Sequence, residues 1–122
     1  MNRDDFLTQY YEITSKAIDY AERARREGLL ALEDELDEDK VNSRDILEYG
    51  IRFVVDGTDA NLIYHILTNI IAQEKDEQII LLKNIQREAV MQIQTGINPR
   101  MLYYVLNSHV DLALNEDKFI KS

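Results

Sequence analysis

Apolar side chains recur at spacings of three and four along most of the chain, the stripe that an amphipathic helix needs. From Asp4 to Glu27 the stripe is Phe6, Tyr10, Ile13, Ala17, Ala21 and Ala24. Arg23, Arg25 and Arg26 occupy the last turns, where positive charge offsets the negative end of the helix dipole, and Gly28 follows as a stop. Leu29 to Asp37 predicts a short second helix with Leu29, Leu32 and Leu36 on one face. A polar connection then runs through Asn42, and Ser43 suits the N-cap of a third helix carrying Ile46, Leu47, Ile51, Val54 and Val55. Gly57 ends that helix, and Asp59 can cap the next, whose stripe is Leu62, Ile63, Ile66, Leu67, Ile70 and Ile71.

Ala72 to Gln78 is polar but holds neither Gly nor Pro, and the stripe resumes after it with Ile79, Leu82, Ile85, Val90 and Ile93. With no stop in between, the pattern predicts one long helix spanning about 60–94, roughly 50 Å at about 1.5 Å per residue. Such a helix cannot fold back within one small domain and would invite a second copy to cover it, as in an exchanged homodimer. The competing reading is a tight helical hairpin at Lys75-Asp76. Gly96 ends the segment, Asn98 caps, Pro99 takes the first helical position, and a final helix runs to about Leu114. The expectation is an all-α fold, one small domain over 1–122 with about five helices. The stretches Gly57 to Leu67 and Gly96 to Leu106 resemble each other, each a glycine stop, an Asp or Asn cap and a helix. Two such junctions look alike whatever their origin, and this plainer account is the one preferred over a repeat.

Charge narrows the range of partners. The chain has 23 acidic against 14 basic residues and a formal charge of −9, so it repels phosphate backbones and anionic lipid heads. Nucleic acid is a poor expectation and a basic protein surface a better one. There is no cysteine, which removes disulfides, thiolate metal sites and cysteine nucleophiles. The longest aliphatic run, Ile79 to Leu82, stops at Lys83, far short of the roughly 20 apolar residues of a membrane span. No secretory leader is evident in Met1 to Asp5, and the expected setting is the cytoplasm.

Little in the sequence offers chemistry. The acid run from Glu33 to Asp39 lacks the central glycine of a calcium loop and reads as a solvated face. His65 and His109 lie on different helices without a carboxylate at zinc-like spacing. Neither a phosphate-binding glycine loop nor a Gly-x-Ser-x-Gly elbow occurs, so no catalytic residues, metal ligands or cofactors are expected and the chain reads as no enzyme. The seven tyrosines, Tyr10-Tyr11 and Tyr103-Tyr104 among them, suit either a recognition surface or a ring around the core with hydroxyls in water. The second is the plainer reading.

Three segments carry a family resemblance. Ala24-Arg25-Arg26-Glu27-Gly28-Leu29-Leu30-Ala31-Leu32-Glu33 resembles the stretch just after the second transmembrane helix of the flagellar motor stator protein MotA, of the MotA/TolQ/ExbB proton channel family. Gly50-Ile51-Arg52-Phe53-Val54-Val55-Asp56-Gly57-Thr58-Asp59 is similar to the later part of the same cytoplasmic loop. The run from Glu88 to Arg100 is similar to the tail after the fourth transmembrane helix. Together they span Ala24 to Arg100 in the family's order. Ala72 to Gln78 stands where the third and fourth transmembrane helices would lie, and nothing matches the first two. The resemblance therefore implies the stator's cytoplasmic head without its membrane helices and without an ion path. It also implies partner-binding roles for Arg25 and Glu33, which would meet an acidic and a basic residue of the flagellar rotor switch protein or another motor-associated protein. The family's acidic residues near the end of the helix after the Asp-Gly segment have no counterpart in Thr68 to Ile71. The alternative is a structural helical homodimer with no rotor contact.

Overall fold

The computed structural model describes residues 1–110 of the 122, and among them every regular element is a helix. They are α1 (Arg3–Glu27), a 3-10 helix (Leu29–Glu35), α2 (Glu38–Asn42), α3 (Ile46–Val55), α4 (Ala60–Ile71), α5 (Glu77–Gln94) and α6 (Pro99–Asn107). The all-α expectation holds, with six α-helices and a 3-10 helix among the described residues where about five helices were expected.

The first helix forms as its stripe requires. Asn2 caps it by accepting from the Asp5 amide at 2.8 Å, Asp4 and Asp5 sit at its positive end, and Arg25 and Arg26 at its negative end. Gly28 stops it at φ +91°, with its amide donating to Ala24 at 2.8 Å. Tyr10, Ala17, Ile18, Tyr20 and Ala21 are fully buried on its inner face, which packs on α5, α6 and the 3-10 helix.

Two local expectations need correcting. Leu29 to Asp37 is a 3-10 helix ending at Glu35, and a short helix replaces the polar connection because Asp37 accepts from the Asp39 and Lys40 amides. Ser43 closes α2 instead of opening α3. Its amide donates to Asp39 and its hydroxyl to Lys40, while Arg44 takes φ +62° and Asp45 caps α3 by accepting from the Glu48 amide at 3.2 Å.

The long helix expected over 60–94 is two helices, α4 and α5, and among the described residues the helix nearest that length is α1, at 25 residues. The chain reverses at Gln73 to Asp76 with carboxylates in place of glycine or proline. The Glu74 carboxylate accepts the amides of Lys75 and Asp76 and an ion pair from Lys83 at 2.9 Å. Asp76 then caps α5 by accepting from Gln78 and Ile79 at 2.9 and 3.1 Å. Of the α4 stripe, Ile63, Leu67 and Ile71 are buried within this chain while Leu62 stays 51% exposed, so the argument for a second copy from one unbroken helix falls away. The last helix ends at Asn107, and its expected limit at Leu114 lies outside the described residues.

The two similar junctions extend further than glycine stops and caps. At an offset of 39 residues the α3–α4 hairpin matches α5–α6 in burial: Ile51 with Val90, Val54 with Ile93, Ile63 with Leu102, and Leu67 with Leu106 are all core. The turn glycines, Gly57 and Gly96, share φ values of +76° and +82°, and Asp59 and Asn98 cap in the same way, each accepting the amide two residues on. Two like helical hairpins therefore share the core with α1, and α3 crosses α5 so closely that a Cβ at Gly50 would lie 2.5 Å from Val90 Cγ2.

Candidate functional site

Arg25 and Glu33 both belong to the corner where α1 turns at Gly28 into the 3-10 helix. Both are exposed. Among the described residues Arg25 has no ion-pair partner. Leu30 lies between them in sequence and is 75% exposed, the most exposed large apolar residue of the described chain. The corner thus offers Arg25 and Arg26 on one arm, an apolar tip, and Glu33 and Asp34 on the other.

Two arginines hold this corner against the body of the molecule. Arg23 reaches Glu27, Asp34 and Glu35 at 3.1, 3.3 and 3.4 Å. Arg52, on α3, reaches Glu33 at 3.4 Å and Glu38 at 2.6 Å. The acid run is a solvated face as expected, with the Asp34 side chain 80% exposed, but it is also clamped from both sides. Sequence reading missed both clamps. Arg23–Glu27 is visible as an i, i+4 pair, whereas Arg52 meets its partners only through tertiary structure.

Beneath the corner lies a buried polar pair. The Tyr20 hydroxyl donates to the carboxylate of Glu48, which is 3% exposed, and lies 3.3 Å from the Glu35 carbonyl oxygen. Lys16 donates to the same carbonyl at 3.4 Å and sits 4.7 Å above the Tyr20 ring. Burial raises the Glu48 carboxyl above the usual carboxylate value, against the opposing pull of the Tyr20 hydrogen bond and of Lys16. Burial and the neighbouring carboxylate also push the Tyr20 hydroxyl well above its ordinary value. Gln86, buried on α5, makes a separate contact, its side-chain oxygen accepting the Leu47 amide at 3.0 Å and so satisfying a donor at the start of α3.

The tyrosines divide between core and surface. Tyr10, Tyr20 and Tyr103 are buried, and burial pushes the Tyr10 hydroxyl up to about 12. Tyr64 and Tyr104 are 47% and 46% exposed. His65 is exposed, and His109 lies 3.6 Å from Glu88. Among the described residues no three potential metal ligands converge, and no helix is long and apolar enough to cross a membrane.

The corner sets exposed arginines and exposed carboxylates on either side of an exposed leucine, with Arg23 and Arg52 tying the acidic arm to α1 and α3. Comparison with family models, with curated proteins and with solved structures finds no match to this chain.

Proposed function

We propose that the chain is a non-enzymatic protein-interaction module resembling the cytoplasmic head of a flagellar stator, and that it contacts the rotor switch protein or another motor-associated protein through Arg25 and Glu33. The observation that carries this reading is the exposure of both residues at one clamped corner, with Arg25 free of any described ion-pair partner. Exposed ion pairs contribute only about 0–1 kcal/mol each, which suits a contact that must form and release repeatedly. Their complementary fields govern encounter rate and register more than strength. A pull-down with the rotor switch protein tests the reading. Binding should be retained by the wild-type chain and weakened by either Arg25→Glu or Glu33→Lys. Binding indifferent to both changes and to salt would remove the rotor contact.

The second reading, a structural homodimer, draws on Leu62 and Met101, which are 51% and 53% exposed at matching positions of the two hairpins. Light scattering separates the two: a strict monomer at working concentration would set the homodimer aside.

A further inference from the structure

Three arginines of the described chain are held half-buried in side-chain networks, and one of them lacks a counter-ion. Arg23 and Arg52, 22% and 23% exposed, are each neutralised by two or more carboxylates. Arg87 on α5 has only neutral partners. Its guanidinium donates to the Thr68 hydroxyl at 2.9 Å and to the Asn84 side-chain oxygen at 3.2 Å, and it stacks over the Tyr64 ring with 4.7 Å to the centroid. No described carboxylate ion-pairs with it, although the chain carries 23 acidic residues. The adjacent Glu88 lines the same groove but is engaged by His109 at 3.6 Å and by Gln92 at 3.4 Å, not by Arg87.

This arginine lies in a groove of about 180 Å³ between α4 and α5, lined by Tyr64, Asn84, Arg87, Glu88, Met91 and His109. Withdrawing a guanidinium from water without an opposing charge is costly, so an acceptor on the open side would be strongly favoured. The planar fork is already fixed by three contacts, so little side-chain entropy remains to be lost on binding. Thr68 and Asn84 are acceptors, which orient the fork without neutralising it.

We infer that the Arg87 groove is a recognition site for a carboxylate, taken up by the free N–H groups of the guanidinium, with the carbon stem of the ligand lying against Tyr64 and Met91. The carboxylate is that of a small free acid or of an acidic side chain presented by a partner peptide. This site is separate in sequence and chemistry from the Arg25–Glu33 corner and stands whether or not that corner meets a rotor.

The test is a titration of the full chain followed through its arginine Nε–H resonances, with chloride held constant. One arm uses glutarate, the other a capped peptide containing Asp and Glu. The Arg87 resonance, identified by its loss in Arg87→Lys, should shift saturably with at least one probe. Saturation by glutarate alone assigns a small-molecule ligand, and saturation by the peptide alone assigns a partner side chain. Arg87→Lys keeps the charge but loses the fork, and calorimetric titration of that variant with the same probe should show binding about tenfold weaker or worse than the wild type. Tyr64→Leu, which leaves Arg87 in place, should weaken binding several-fold, and the control Lys75→Gln should not. The inference is overturned if neither probe shifts the Arg87 resonance saturably, or if Arg87→Lys and Tyr64→Leu both bind as the wild type does.

Discussion

Gly50 sits in the middle of α3, where alanine would ordinarily favour the helix by about 1 kcal/mol. Here an added Cβ would lie 2.5 Å from Val90 Cγ2, 2.9 Å from Val90 Cγ1 and 3.2 Å from Leu67 Cδ1. Carbon atoms in contact settle at about 3.5–4.0 Å, so the two valine methyls would have to retreat by roughly 0.6–1.5 Å. Val90 is fully buried and β-branched, with one favoured rotamer in a helix, so the strain falls on the spacing of α3 and α5. Overpacking of this kind costs about 1–3 kcal/mol, and overlap with two buried methyls places it at the upper end. After the helix gain is subtracted, Gly50→Ala should destabilise the fold by about 2 kcal/mol. Urea denaturation of the wild type, Gly50→Ala, Val90→Ala and the double variant measures this as a cycle. Alanine at position 90 removes both methyls that the new Cβ meets. The double variant should therefore be more stable than the sum of the single losses implies, by about 1–2 kcal/mol. A Gly50→Ala chain as stable as the wild type, with additive behaviour in the double variant, would refute the close crossing.

Glu48 gives a pH dependence of definite sign. Its carboxyl is raised by burial above the usual 4.5, so the folded chain holds that proton more tightly than the unfolded chain. Its contribution is full below the unfolded value and is lost as pH rises through the folded value. Glu48→Gln should therefore gain stability relative to the wild type as pH rises through that window, and a constant or opposite difference in denaturation midpoints would contradict the buried pair. Asp76→Ala removes the acceptor for two amides at the start of α5 and should cost about 1 kcal/mol, read as a lower melting temperature. A variant that melts with the wild type would show that Asp76 does not cap α5.

The helical class, the α1 stripe, the glycine stops and the caps at Asp59 and Asn98 were all legible because each is a local signal. The hairpin at Gln73 to Asp76 was harder to read because its stop is made by side-chain acceptors. Glu74 and Asp76 look like ordinary helix-surface acids until their carboxylates are seen on backbone amides. Ser43 and Asp45 are both good caps on paper, and the choice between them depends on Arg44 adopting a left-handed conformation. At the candidate site, the exposure of Arg25 and Glu33 was anticipated, but the supports were not. Arg52 reaches Glu38 across 14 residues and Tyr20 reaches Glu48 across 28, distances over which no periodicity speaks.

The central claim is that the order of charge at the α1 corner recognises a partner. It is tested most directly by calorimetric titration of the rotor switch protein with the wild-type chain and with the exchanged variant Arg25→Glu/Glu33→Lys. The two reversals cancel, so the net charge stays at −9 while the local field inverts. The account predicts wild-type binding that weakens with salt, and a loss of roughly tenfold or more in the exchanged variant, about 1.4 kcal/mol. Equal affinity of the two chains, or no binding by the wild type, would contradict it.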